Sequence, residues 1–286
     1  MNSLSHTQRR DHEFEIQRIR GIAAFNQARR RAFLSDAFSH LRGKPAELLS
    51  FEDIRARLRL SAETFRGIQN IPLKQIAGSV GRWHEFTRSF FPKRDEMRDR
   101  WARVYAATTG MVGTPPIEVY QVGDVYFVRD GNHRVSVARQ LGSRYIEARV
   151  IELTSPVALR PDVAPRDIDA AESYAMFLEQ SRLRYLSLDY YPFQLSEPSR
   201  YDDLMAHLRL HHAVLLQTGQ SDVSRDDAAA DWWDVVFYPL MSPIHDYGVL
   251  DHFPGRTKAD LYLWAVDHLR DLEGELSPGQ PATLSS

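Results

Sequence analysis

The chain has 286 residues, 43% hydrophobic and 26% charged, with a formal net charge of −2. That is the composition of a folded soluble protein of one large or two smaller domains, not of a disordered chain. It has no cysteine, which excludes disulfides, thiolate nucleophiles, zinc–thiolate sites and cysteine-held iron–sulfur clusters.

No apolar run reaches membrane-spanning length and the first ten residues carry no secretion-signal core, so a cytoplasmic location with no membrane partner is expected. Charge is uneven along the chain. Residues 1–104 hold 21 Lys+Arg against 12 Asp+Glu, whereas residues 181–286 hold 8 against 16. Such a gradient suits an anionic partner on the N-terminal side, and equally suits attraction between the two halves.

In chain order, residues 1–10 read as disordered and residues 13–42 as a helix. Its apolar face is expected on Leu34, Ala37, Phe38 and Leu41, continued less strictly by Ile16, Ile19, Ile22 and Ala23. Arg29, Arg30 and Arg31 form a basic run within it. They are candidates for a nucleic-acid backbone, although three successive charges point around a helix rather than to one side. Phe51–Leu60 predicts a short helix capped by Ser50. Ile71-Pro72-Leu73-Lys74-Gln75-Ile76 predicts a short strand, confined by Pro72 to a start or an edge.

Asp95–Thr109 fits a helix with Met97, Trp101, Val104 and Tyr105 on one face. Ile117–Val122 and Val125–Arg129 flank Gly123-Asp124, a hairpin signal. Asn132–Leu141 predicts a helix stopped by Gly142, and Tyr145–Leu153 a further strand. Thr154–Ile168, with three prolines, reads as a linker. The rest reads as helices: one on Tyr174, Leu178, Ser181 and Tyr185, one on Tyr201, Leu204, Leu208 and Leu215, one from Trp232 that Pro239 ends or kinks, and one from Thr257 with Leu261, Trp264, His268 and Leu272 inward. The expected division is 1–69 basic helical arm, 70–153 α/β core, 154–168 linker, 169–276 helical domain and 277–286 disordered tail, an α+β protein overall.

The sharpest chemical signal is Asp130-Gly131-Asn132-His133-Arg134, where a strand ends and a helix begins. Free N–H groups and the helix dipole there suit a phosphate, and Gly131 allows close approach. Arg134 could add a forked contact, His133 a hydrogen bond or proton, and Asp130 a metal ligand. The same residues also fit a purely structural role, with Asn132 capping the helix and Arg134 in an ion pair. A second segment, Gly78 to Arg88, offers Ser79 and Arg82 for phosphate, Glu85 as base or metal partner, and Trp83 or Phe86 for base stacking. His207, His211 and His212 have helical spacing but lack the carboxylate of a zinc protease motif.

Residues 70–153 resemble the ParB/sulfiredoxin-like (ParB-like nuclease) domain. The resemblance rests on Ile71-Pro72-Leu73-x-x-Ile76, on the hairpin ending Val125-Tyr-Phe-Val-x-Asp130-Gly131, and on the Gly-x-x-Arg box from Gly131 to Arg134. The Gly78–Arg88 and Phe253–Trp264 segments also resemble uncharacterised bacterial proteins with such a domain and helical flanks.

The resemblance implies a nucleotide-phosphate site on Ser79, Arg82, Gly131, Asn132, His133 and Arg134. The nucleotide would be ATP or CTP, with Mg2+ held in part by Asp130 and Glu85. Slow triphosphate hydrolysis or phosphoryl transfer through Asp130, His133, Arg134 and Glu85 would follow. Asn132 stands where a sulfiredoxin has its cysteine, so sulfiredoxin chemistry is excluded. A ParB-like DNA-binding or nuclease module and a non-catalytic interaction scaffold are the alternatives, with a homodimer a further expectation.

Overall fold

The computed structural model describes residues 6–41, 47–110, 113–157, 159–186, 193–219 and 222–276. Two compact units are present, Met1–Asp169 and Ala170–Ser286. The tail from 277 and residues 1–5 lie outside the described residues.

Alternating and continuous apolar runs build the first unit. Val125–Asp130 (β5) buries four residues in succession, so it is a central strand covered on both faces. It pairs antiparallel with Ile117–Val122 (β4) across the two-residue Gly123-Asp124 turn. Four further pairings complete a mixed six-stranded sheet. Ile76–Ser79 (β3) lies parallel to β5, Leu49–Ser50 (β1) parallel to β3, and Tyr145–Thr154 (β6) parallel to β4. The strand Ser61–Pro72 (β2) runs antiparallel to β6 at the sheet edge, in the order β1-β3-β5-β4-β6-β2. The expected strand at Ile71–Ile76 is thus two strands broken by a turn at Leu73–Gln75. Pro72 does sit on an edge, but at the end of a strand of 12 residues.

Phe51–Arg57 (α2) starts as expected, with Ser50 Oγ accepting from the Asp53 N–H. Its Phe51 stacks on Tyr120 at 4.4 Å. The sheet's main core holds Arg98–Thr109 (α3) and Asn132–Gln140 (α4). Fully buried Trp101 joins them, its Nε1 donating to Ser136 Oγ at 2.9 Å.

His6–Leu41 (α1) is longer than expected at its N-terminus. Gly21, Phe25, Ala28 and Ala32 are buried on it, whereas Ile19 and Leu34 of the predicted stripe are exposed; the side chains of Ala37, Phe38 and Leu41 lie outside those described. A Cβ on Gly21 would meet the Ala102 backbone at 3.0 Å, so glycine sets the close approach of α1 to α3.

The second unit is helical, with Pro165–Gln180 (α5) beginning inside the expected linker. Its other helices are Tyr201–Gln217 (α6), Arg225–Trp232 (α7), Tyr238–Asp246 (α8) and Lys258–Leu276 (α9). Phe177, Phe193, Trp232, Phe237 and Tyr262 make its aromatic core. Pro239 does not end the helical run but sits in the first turn of α8. Residues Trp233–Phe237 form a π turn just before it, the wider ring that absorbs a missing N–H. Thr257 and Asp260 cap α9 reciprocally, as expected. Trp264 is exposed, however, and Tyr262 and Leu263 take the inner face. No helix among the described residues is long and apolar enough to cross a membrane.

Candidate anion site at the start of α4

Gly131 carries φ 110°, ψ 20°, and its carbonyl accepts the first helical bond from Val135 N–H at 3.0 Å. Asn132, the expected cap, is instead the first residue of the helix, and no side chain caps the turn. The leading N–H groups of α4 therefore have no side-chain acceptor. A Cβ on Gly131 would lie 2.5 Å from Ile117 Cγ2 and 3.1 Å from Arg134 Nε, so this turn admits only glycine.

Ser79, expected on the phosphate itself, is fully buried. Its hydroxyl lies 2.9 Å from Asn132 Oδ1 and 3.2 Å from the Val128 carbonyl. It holds Asn132 through that amide oxygen. Gly78 is likewise a packing residue, since a Cβ there would strike the Leu49 carbonyl and Phe127.

Arg134 is spent on its own chain. One terminal nitrogen donates to the carbonyls of Pro115 at 2.6 Å and Pro116 at 2.8 Å; the other pairs with Asp130. The structural reading of this arginine is therefore the one the geometry displays, and it braces the segment entering β4. Asp130 is its exposed partner.

His133 is the anomaly. It is 5% exposed, and neither ring nitrogen has a hydrogen-bond partner. Phe86 meets it edge-on at 5.6 Å. Burial, then the nearby guanidinium groups of Arg100 and Arg82, push its pKa from 6.5 to about 4, against a smaller opposing pull from Glu85. Glu85 is ion-paired to Arg82, yet its buried Oε2 accepts no hydrogen bond of proper geometry. The imidazole is thus left unsatisfied beside two cations, one of them paired with Glu85. A folded chain ordinarily avoids an orphaned buried donor, and an anion accepting from the imidazole N–H would relieve it.

Arg100 was not singled out by the sequence. It is exposed, and it lines an open cleft of about 530 Å³ with Arg103, Thr114, Pro115 and Arg134. Arg100 and Arg103 sit at i, i+3 on the face of α3 opposite Trp101 and Ala102. That spacing was the available signal, obscured because charged residues on a helix face usually mean only solvation.

The other candidates lie elsewhere. Arg29 binds the Lys93 carbonyl and Asp95, and Arg31 reaches Gln140, leaving Arg30 free of the basic run. Arg88 donates to the Ala77 carbonyl at 2.9 Å. His211 pairs with Asp231 and His212 with the Val223 carbonyl, and the three histidines do not converge.

The donor set does not fit a protein-held magnesium ion. Asp130 and Glu85, the two proposed ligands, are each neutralised by an arginine. Among the described residues no three His, Asp or Glu side chains gather as a metal site. Compared with family models, curated proteins and solved structures, the chain matches none.

Proposed function

We propose that this chain is a cytoplasmic nucleotide-phosphate-binding protein built on a ParB/sulfiredoxin-like core, with its site at the start of α4. The observation that carries the reading is His133, buried with both nitrogens unsatisfied, at an uncapped helix start beside Arg82 and Arg100. The helix N–H groups and the Asn132 amide would bind phosphate oxygens, and Arg82 and Arg100 would supply countercharge. The neighbouring cleft has room for the rest of a nucleotide. A histidine with a pKa of about 4 is a weak base at neutral pH, so any hydrolysis through it is slow. Magnesium would arrive on the nucleotide's own phosphates.

The test is thermal unfolding with ATP, CTP, GTP, ADP or duplex DNA, with and without magnesium. A nucleotide at 100 times its dissociation constant adds about 2.7 kcal/mol of stability. Arg100→Ala is expected to abolish that shift with little effect on the unliganded protein. Arg134→Ala is a poorer probe, because it also removes the brace on Pro115 and Pro116. A flat response to every nucleotide, or stabilisation by DNA alone, overturns the proposal.

Glu85 is the acidic group that acts on His133. Glu85→Gln is expected to tighten nucleotide binding about tenfold by removing a like charge a few ångströms from the phosphate. Titration calorimetry of wild type and variant checks it, and weaker binding in the variant would make Glu85 a ligand contact instead.

A further inference from the structure

A second cleft of about 590 Å³ lies wholly within the helical unit, among the end of α5, α6 and α7. Its setting is acidic: residues 170–286 carry 18 Asp+Glu against 8 Lys+Arg. Yet three of those eight basic residues, Arg182, Arg209 and Arg225, line this one cleft.

Arg182 is fixed in place. Its guanidinium takes both Asp226 oxygens, at 2.6 and 3.0 Å, and covers the Tyr185 ring at 4.3 Å. Its backbone sits at φ 67°, a conformation that disfavours a side chain and is held by these contacts. Arg209 and Arg225 are different: each is exposed, and neither makes a hydrogen bond or ion pair, in a unit with more than twice as many acids as bases.

Nearby carboxylates are engaged elsewhere. Asp226 is held by Arg182, Asp227 by the cap of α7 at Ser224, and Asp231 by His211. The floor is apolar and shallow-sided: Met205, Leu208, Ala228 and Ala229 are all buried, and the two alanines leave the space. His212 closes one side, its Nε2–H donating to the Val223 carbonyl at 3.0 Å.

Two unpaired guanidinium groups above an apolar floor make a recognisable combination. From it we infer that this cleft binds a small organic anion, an acidic head group on a short apolar body. Arg209 and Arg225 hold the head by charge-assisted hydrogen bonds, and the floor takes the body. The site is separate from the one at α4 and does not depend on it.

The experiment is titration calorimetry of the full chain at fixed ionic strength. The probes are hexyl phosphate, hexanoate and inorganic phosphate, and Arg100→Ala is the background, so that the α4 site contributes little. Hexyl phosphate or hexanoate should bind, and the one that binds better names the head group. Arg209→Gln and Arg225→Gln should each weaken binding about tenfold, the scale of one hydrogen bond to a charged group. Both positions are exposed, so the variants keep the fold; their unfolding temperatures check that. No binding by either organic probe overturns the inference, as does binding in the double variant within twofold of the parent. Inorganic phosphate binding as tightly as hexyl phosphate overturns the role of the apolar floor.

Discussion

Gly131→Ala is expected to destabilise the N-terminal unit by about 3 kcal/mol or more. Two costs combine. The backbone stays at φ 110°, a region nearly closed to residues with a side chain. The new methyl would also sit 2.5 Å from Ile117 Cγ2, and Ile117 is fully buried in β4 with nowhere to retreat. Gly142→Ala is the matched control. Its φ is 76°, but nothing lies within 4 Å of the added atom, so only the conformational cost of about 1–2 kcal/mol applies. Denaturant unfolding of both variants separates the terms. Equal losses in the two would mean that the turn into α4 relaxes freely and is not a rigid platform for the site. Against a total stability of some 5–15 kcal/mol, the Gly131 loss is large enough to read without ambiguity.

Where the local pattern was strong, the sequence was a good guide to the fold. The hairpin was legible because apolar runs flank a Gly-Asp pair, and α4 because a strand, a glycine and a stop at Gly142 frame it. β2 was largely missed for a physical reason. It is exposed on both faces, so Ser61–Asn70 carries no alternation to read. Over the described side chains of α1 the buried surface is shifted from the expected one, because it is built from Gly21, Ala28 and Ala32 around Phe25, small residues that hydrophobic periodicity undervalues, while Leu34 is exposed.

At the candidate site, position was legible and role was not. The strand–glycine–helix step placed Asn132 and His133 correctly at a helix start. Whether Arg134 would face a ligand or its own chain depended on the carbonyls of Pro115 and Pro116, which no short motif encodes. Arg100 escaped notice because its meaning comes from the α3–α4 packing through Trp101 and Ser136, not from its neighbours in sequence.

Lowering the pH should drain stability through His133. In the unfolded chain this imidazole takes a proton near pH 6.5; in the folded protein it resists until about pH 4. Between those values the unfolded state binds more protons, so stability falls as pH falls through this window and this group adds no further loss below it. A gap of that size corresponds to roughly 3 kcal/mol when fully developed. His133→Phe keeps an aromatic ring against Phe86 and removes both unsatisfied nitrogens. The variant should be at least as stable as the wild type at pH 7, and its stability should lose most of the slope between pH 6.5 and 4. Stability measured against pH for both proteins decides this; an unchanged slope in the variant would assign the acid sensitivity to other groups. The same variant bears on function. A histidine whose removal stabilises the fold has no structural reason to be there, so a nucleotide response lost in a more stable His133→Phe protein would tie its unsatisfied nitrogens to the ligand.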